Sequence, residues 1–187
     1  MGRIAAVGLA VVALPGSTAT TAPTPPRVAL VAAADARPVE WSLPVPPAAV
    51  TPGDLRAPHH DYPASDLMVP TGTPVLAVHA GEAVSHEGPR CGKGVTLTAA
   101  RRRFVYCHLS RVAVARGPVR AADVLGLSGD TGNARGVPHL HFHVVDGGRY
   151  VCPQALFPAW AQGRPAGPVA WGVVEGCFFG RGSQSAG

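Results

Sequence analysis

Three stretches of the chain carry nitrogen and oxygen donors at spacings that chemistry can use. The run His139-Leu140-His141-Phe142-His143-Val144 follows a glycine-rich loop, and in a strand its alternate residues His139 and His141 face one side. His108 closes an earlier run, Arg103-Phe104-Val105-Tyr106-Cys107-His108. The segment His59-His60-Asp61-Tyr62-Pro63-Ala64-Ser65-Asp66 sets two histidines a short distance before a carboxylate. Neutral imidazole is both a metal ligand and a proton shuttle. Two histidines and an aspartate satisfy zinc, which in hydrolytic sites takes three protein ligands and keeps a position for water. That water's pKa falls towards ~7, and neighbouring histidines can move its proton. The residues themselves therefore imply metal-assisted hydrolysis of an amide.

Other chemistries find no support. His79 and His86 have no partner in pattern and read as packing or surface residues. HExxH is absent, because His86-Glu87 is followed at the required position by Arg90. No P-loop spacing precedes Gly92-Lys93, and Ser128 lacks the flanking glycines of a nucleophile elbow. Arg101-Arg102-Arg103 reads as a solvated hairpin tip. Net charge is +5, carried almost wholly by arginine since Lys93 is the only lysine. That favours an anionic partner or surface. Nucleic acid is not expected, because no interleaving of basic and aromatic residues accompanies the charge.

The elements that must position these residues are short. The chain holds 23 glycines and 20 prolines among 187 residues and is only 14% charged, which points to strands, turns and loops rather than long helices. Residues 74–78, 83–86, 94–98, 103–108 and 140–145 are rich in Val, Leu and aromatics, are bounded by Gly or Pro, and read as antiparallel strands. Residues 99–102 form the turn between two of them, and 112–127 read as loops with short strands. Tyr106 can face either side.

The first 22 residues have the layout of a signal peptide: Arg3, an apolar run from Ile4 to Leu14, then Pro15-Gly16 and small residues. The apolar run is shorter than the ~20 residues of a membrane span. A retained anchor is the alternative, and the cleavage point is open. Residues 23–52, rich in Pro and Ala, read as a disordered, semi-extended linker. The domain is expected over 53–160, with a C-terminal extension over 161–187. Export fits the cysteines: Cys91, Cys107, Cys152 and Cys177 are even in number and contain no CxxC pair, which suggests two disulfides. Cys91 and Cys107 flank a hairpin, and Cys152 precedes the tail that ends near Cys177, so 91 with 107 and 152 with 177 is the expected pairing. Trp160, Trp171 and the Phe178-Phe179 pair are read as packing that tail onto the domain.

The pieces also occur together in a known order. Asp66-Leu67-Met68-Val69-Pro70-Thr71-Gly72-Thr73-Pro74-Val75 resembles the D-[IL]-x-x-P-x-G-T-P-V signature of the lysostaphin-type zinc metallopeptidases. Tyr106-Cys107-His108-Leu109-Ser110 resembles that family's Y-x-H-L-S. Gly129-Asp130-Thr131-Gly132 through His139-Leu140-His141-Phe142 resembles its G-x-T-G and P-H-L-H-F. The resemblance covers residues 57–145. It implies an all-β fold of mostly antiparallel sheets, the duplicated hybrid motif, with the site in an open groove. It implies one zinc per chain, with Asp66 and His141 as ligands and His108 and His139 as the catalytic histidines that move protons and steady the oxyanion. It further implies a secreted endopeptidase cutting bacterial peptidoglycan peptides by attack of zinc-activated water.

The chain departs from the family at the remaining ligand. The family places a histidine four residues before the aspartate, where this chain has Tyr62. His60 and His59 are the candidates, and the period of a strand favours His60, which then faces with Asp66. Pro63 would bulge to absorb the extra pair. The form HHDYPAxD resembles a subgroup of exported actinobacterial proteins. Asp130 and Asn133 are either orienting partners of histidines or turn residues. His143 falls where the family has a carboxylate or amide, and a fourth-ligand role is the lesser alternative to none. Two other functions compete: a non-catalytic wall-binding or amidase-activating relative, which tends to lose ligands that this chain retains, and a metal-buffering binding protein. Oligomeric state is not legible.

Overall fold

Residues 39–180 are described by a computed structural model. The expected signal peptide, the first part of the expected linker and the last seven residues lie outside the described residues. Ten strands follow in order: β1 (Ser65–Leu67), β2 (Pro74–Leu76), β3 (Gly81–Gly88), β4 (Gly92–Ala99), β5 (Arg102–Leu109), β6 (Arg111–Val112), β7 (Arg116–Val119), β8 (Val124–Leu127), β9 (Leu140–Asp146) and β10 (Arg149–Val151). Helices α1 (Pro153–Trp160) and α2 (Pro168–Trp171) come after them. The larger sheet runs β1-β9-β5-β4-β3-β7, with β10 also pairing with β9, and a second sheet runs β2-β8-β6. The named pairings are all antiparallel.

The strand expectations hold because the apolar residues alternate. In β9, Leu140, Phe142 and Val144 are fully buried in the core, while His141 and His143, with His139 just before the strand, line a groove on the other face. The β9–β10 hairpin turns through Gly147 and Gly148, both at positive φ, as a two-residue turn matched to strand twist requires. Tyr106 faces the core, where its hydroxyl accepts the Val78 N–H at 3.0 Å.

Three expectations are corrected. The fold begins at Trp41 and not at residue 53: Trp41, Leu43 and Val45 are buried, and Trp41 stacks on Trp160 at 5.1 Å between centroids, with Trp171 and Phe104 edge-on. Proline and alanine dominate that stretch, yet Trp41, Leu43 and Val45 fill the space left by α1 and α2. The arginine run is not simply solvated, since Arg101 Nε lies 2.6 Å from the buried Asp146 Oδ1 and Arg102 sits over the Trp171 ring at 3.8 Å. At the tail, Trp160 and Trp171 pack onto the domain but Phe179 is 79% exposed. Both disulfides form as expected, Cys91 to Cys107 and Cys152 to Cys177.

Because Trp41 is the centre of an aromatic cluster, Trp41→Ala should destabilise the domain by about 3–5 kcal/mol. Urea unfolding is the check, and an unchanged midpoint would mean that the segment before residue 53 is not part of the fold.

Candidate metal centre and groove

The register of the larger sheet decides which donors meet. β1 pairs with β9 so that Asp66 stands opposite His141, and β5 flanks the other side of β9 with Cys107 opposite the same histidine. His141 Nδ1 donates to Asp66 Oδ1 at 2.8 Å. His139 Nε2 lies 3.7 Å from that oxygen, and His59 Nε2 lies 3.5 Å from Asp66 Oδ2. Donor atoms of His59, Asp66 and His141 all fall within 4.8 Å of one another. They sit in an open groove of about 670 Å³ that His108, His143, Tyr62, Tyr150, Arg90 and Asn133 also line.

The buried member of the histidine pair is His59, not His60. His59 is 3% exposed; the His60 side chain is 68% exposed, with Nε2 3.1 Å from Asp61 and Nδ1 3.7 Å from Asp66. For His60 to face with Asp66, residues 60 to 66 must form a regular strand. That strand does not exist: β1 starts at Ser65, and within residues 57–64 the one isolated bridge is that of His59 to Phe178.

His108 reaches the groove through an irregularity the sequence does not announce. Between the pairs Val95/Tyr106 and Lys93/Leu109, β4 advances two residues and β5 three, which is a β-bulge. The extra residue breaks the alternation, and both Cys107 and His108 line the groove. His108 adopts φ 67°, rare for a residue with a side chain, and its N–H donates to Cys91 O at 2.8 Å beside the Cys91–Cys107 disulfide. The glycines of the neighbouring loop are needed for close approach. A Cβ on Gly132 would collide with the Gly92 backbone, and the reverse also holds. That approach brings Thr131 O to His108 Nδ1 at 2.9 Å.

Carbonyl oxygens only accept, so the contacts His108 Nδ1 to Thr131 O and His139 Nδ1 to Val137 O (2.8 Å) place the ring proton of each histidine on Nδ1. Nε2 of each is then the basic nitrogen. The two rings lie 4.7 Å apart. Asp130 is a turn residue, its carboxylate accepting the Gly136 N–H at 3.0 Å.

Tyr62 is a groove residue for which the sequence suggested no role. Standing where the family has a ligand, it gives its hydroxyl to His141 Nε2 at 2.9 Å, and His143 Nδ1 lies 3.2 Å from the same nitrogen. His141 is thus held at both ring nitrogens, by Asp66 on one side and by Tyr62 and His143 on the other. The only sequence signal was the coincidence of Tyr62 with a ligand position.

Burial sets the charge states. It pushes His59 down to about 4, against the attraction of Asp66, and pushes His143 down to about 3, with repulsion from His141 adding. His108 is likewise lowered by burial, which its bond to Thr131 opposes. For Asp66, burial works against ionisation, but the hydrogen bond and attraction of His141, with His59 and His139, outweigh it and hold the carboxyl below its usual range. An ionised Asp66 beside a His59 that burial keeps neutral is the state a divalent cation requires.

A carboxylate flanked by two imidazoles on the floor of a groove, with two further imidazoles fixed by backbone carbonyls, is the equipment of a metal-dependent hydrolase on an antiparallel-sheet scaffold. The model of Peptidase family M23 matches residues 61–153, and the chain belongs to that family through this domain. A relative from Neisseria meningitidis, "DD-carboxypeptidase/endopeptidase Mpg", is 36% identical over 94 residues, 49% of this chain and 21% of that protein, so the match spans about a fifth of the relative's length. Among solved structures, the antimicrobial peptidase lysostaphin from Staphylococcus simulans shares the fold with a TM-score of 0.53 at 24% identity, over 70% of this chain and 58% of that one. A zinc containing peptidase from Vibrio cholerae does so with a TM-score of 0.52 at 24% identity, over 63% and 40%. His59 and His60 lie just outside the stretch that the family model matches.

The depressed histidines make the stability of the metal-free protein depend on pH. Unfolded, His59 and His143 take protons below about 6.5; folded, they stay neutral down to about 4 and about 3. Their contribution is whole above 6.5 and is lost as the pH falls through those folded values. Calorimetry of chelator-treated protein should show Tm falling from pH 7 to pH 4 and His143→Gln flattening the slope. A profile flat across that range would show that these rings are not buried neutral.

Proposed function

We propose that the chain is a zinc metalloendopeptidase that is exported and hydrolyses peptide bonds of bacterial peptidoglycan. The observation that carries the reading is His59 Nε2. It is buried, has no hydrogen-bond partner, and lies 3.5 Å from a carboxylate that His141 also touches. A buried polar atom left without a partner is costly, and a cation shared with Asp66 and His141 removes that cost. The donor set of two nitrogens and one oxygen suits zinc.

His59, Asp66 and His141 would hold the metal. A zinc ion held there would polarise the scissile carbonyl and acidify water in the site. Coordination through His59 Nε2 requires the ring proton to sit on Nδ1, at the expense of two long contacts that Nδ1 accepts from the Asp61 and Tyr62 N–H groups at 3.3 and 3.4 Å. Tyr62 and His143 keep the His141 ring from rotating away from Asp66. His108 and His139 present basic Nε2 atoms, and one accepts a proton from the attacking water and returns it to the departing amine nitrogen. Their fixed Nδ1–H bonds keep that tautomer through the cycle. No nucleophilic side chain enters, so no acyl-enzyme forms.

The substrate class rests on the lysostaphin-type resemblance and on the endopeptidase relative. Export rests on the N-terminal layout and on two disulfides, which persist in oxidising compartments. Among the described residues no helix is long and apolar enough to cross a membrane.

Purified protein should contain close to one zinc per chain. His59→Ala, Asp66→Ala and His141→Ala should lose it, and His60→Ala should retain it. His108→Ala and His139→Ala should keep the metal and lower cleavage of purified peptidoglycan by roughly 10²–10⁴-fold, read by mass analysis of products with and without chelator. Zinc held by His59→Ala but lost by His60→Ala would reverse the ligand assignment. Zinc bound with no products from any peptidoglycan would leave a non-catalytic relative.

A further inference from the structure

The segment that carries His59 has almost no sheet of its own. Residues 57–64 make one isolated bridge before β1 begins at Ser65, and the histidine stands seven residues ahead of Asp66. A donor on such a loop is held in place only if something outside the loop fixes it, since ordering a flexible backbone costs ~1–2 kcal/mol per residue. The fixing groups come from beyond residue 151. Gln154, in the first turn of α1, donates from Nε2 to Ala57 O at 2.9 Å and to Ala64 O at 2.8 Å, and so spans both ends of the loop. Between those ends the tail takes both backbone groups of His59: His59 N–H donates to Cys177 O at 2.9 Å, and Phe179 N–H donates to His59 O at 3.0 Å. Gly180 continues along the same loop, where a Cβ would stand 3.0 Å from Asp61 O.

The tail is anchored beside Gln154. Cys177 is disulfide-bonded to Cys152, two residues before Gln154, and Cys152 N–H also donates to Val173 O at 2.8 Å. One short stretch, Cys152 to Gln154, therefore grips the loop directly and through the tail. Gln154, the tail residues from Val173 to Gly180 and His59 itself lie outside the family-matched residues 61–153, and Cys152 falls near the end of that stretch.

We infer that the C-terminal part of the chain is a positioning element of the metal site, in which Gln154 of α1 and the Cys152–Cys177-tethered segment Cys177–Phe179 hold His59 Nε2 beside Asp66 and His141. This rests on the zinc reading above. The tail replaces the local strand geometry that a shorter histidine-to-aspartate spacing would supply, and so makes the longer spacing workable. Its residues touch neither metal nor substrate; they act through the His59 backbone.

Zinc affinity measured by chelator competition tests this on the full chain, with thermal melts establishing that each variant is folded. Cys152→Ser with Cys177→Ser, and separately Gln154→Met, should weaken zinc roughly 10–100-fold, the usual effect of removing an outer partner of a metal ligand. In a His59→Ala background, the same changes should alter the residual affinity less than about twofold. A residue that merely supports the fold would weaken zinc equally in both backgrounds. Equal losses, or unchanged affinity in the folded variants, overturn the inference. If the cysteine variant does not fold, Gln154→Met decides alone. Wild-type protein that binds no zinc overturns the metal reading and this inference with it, and the two failures are told apart by that first measurement.

Discussion

The pairing of Asp66 with His141 across β1 and β9 is the constraint on which the rest of the site depends. Strand register has a period of two, so a slip of one residue would send either side chain into the core. The slip is blocked from both sides of β9. Leu140, Phe142 and Val144 are locked in the core on one face, and β5 and β10 fix the strand along its edges. The 2.8 Å contact between His141 and Asp66 is thus a consequence of hydrophobic alternation and needs no special local geometry. The carboxylate then draws the other donors. His59 and His139 both approach it, and its charge is kept by the imidazoles that surround it.

Around that pair the protein places residues by departures from regularity. The bulge in β5 and the left-handed backbone at His108 bring a core-strand histidine into the groove. The mutual approach of Gly92 and Gly132 lets Thr131 reach His108 and fix its tautomer. Such local departures are tolerated where surrounding structure over-determines them, and here the Cys91–Cys107 bridge supplies that reinforcement. On the opposite wall, the loop bearing His59 has no strand to rely on and is held by residues that come much later in the chain.

Legibility in the sequence followed the range of the physics. Alternating apolar residues fixed β9 and β5 and thereby the facing of His139, His141 and His143, and cysteine spacing about a hairpin and a tail fixed both disulfides. Those are local patterns. The choice between His59 and His60 was not local, because it turns on a contact between residue 59 and residues 177–179 and on the absence of a strand before Ser65. Parity along an assumed strand favours His60, whereas His59 is the buried member of the pair. Tyr62 was invisible for a related reason, since its hydroxyl contact is with His141, 79 residues later in the chain. Trp41, within a proline-rich stretch, belongs to the core only because Trp160 and Trp171 leave a space of its shape.

The proposed metal centre is made by His59, Asp66 and His141 together. Its most direct test is a crystal structure of zinc-loaded protein with anomalous diffraction recorded on both sides of the zinc absorption edge. A single strong anomalous peak is expected within about 2.0–2.3 Å of His59 Nε2, an Asp66 oxygen and His141 Nδ1, with His60 pointing to solvent. A peak coordinated by His60 in place of His59, or no peak between β1 and β9, would contradict it.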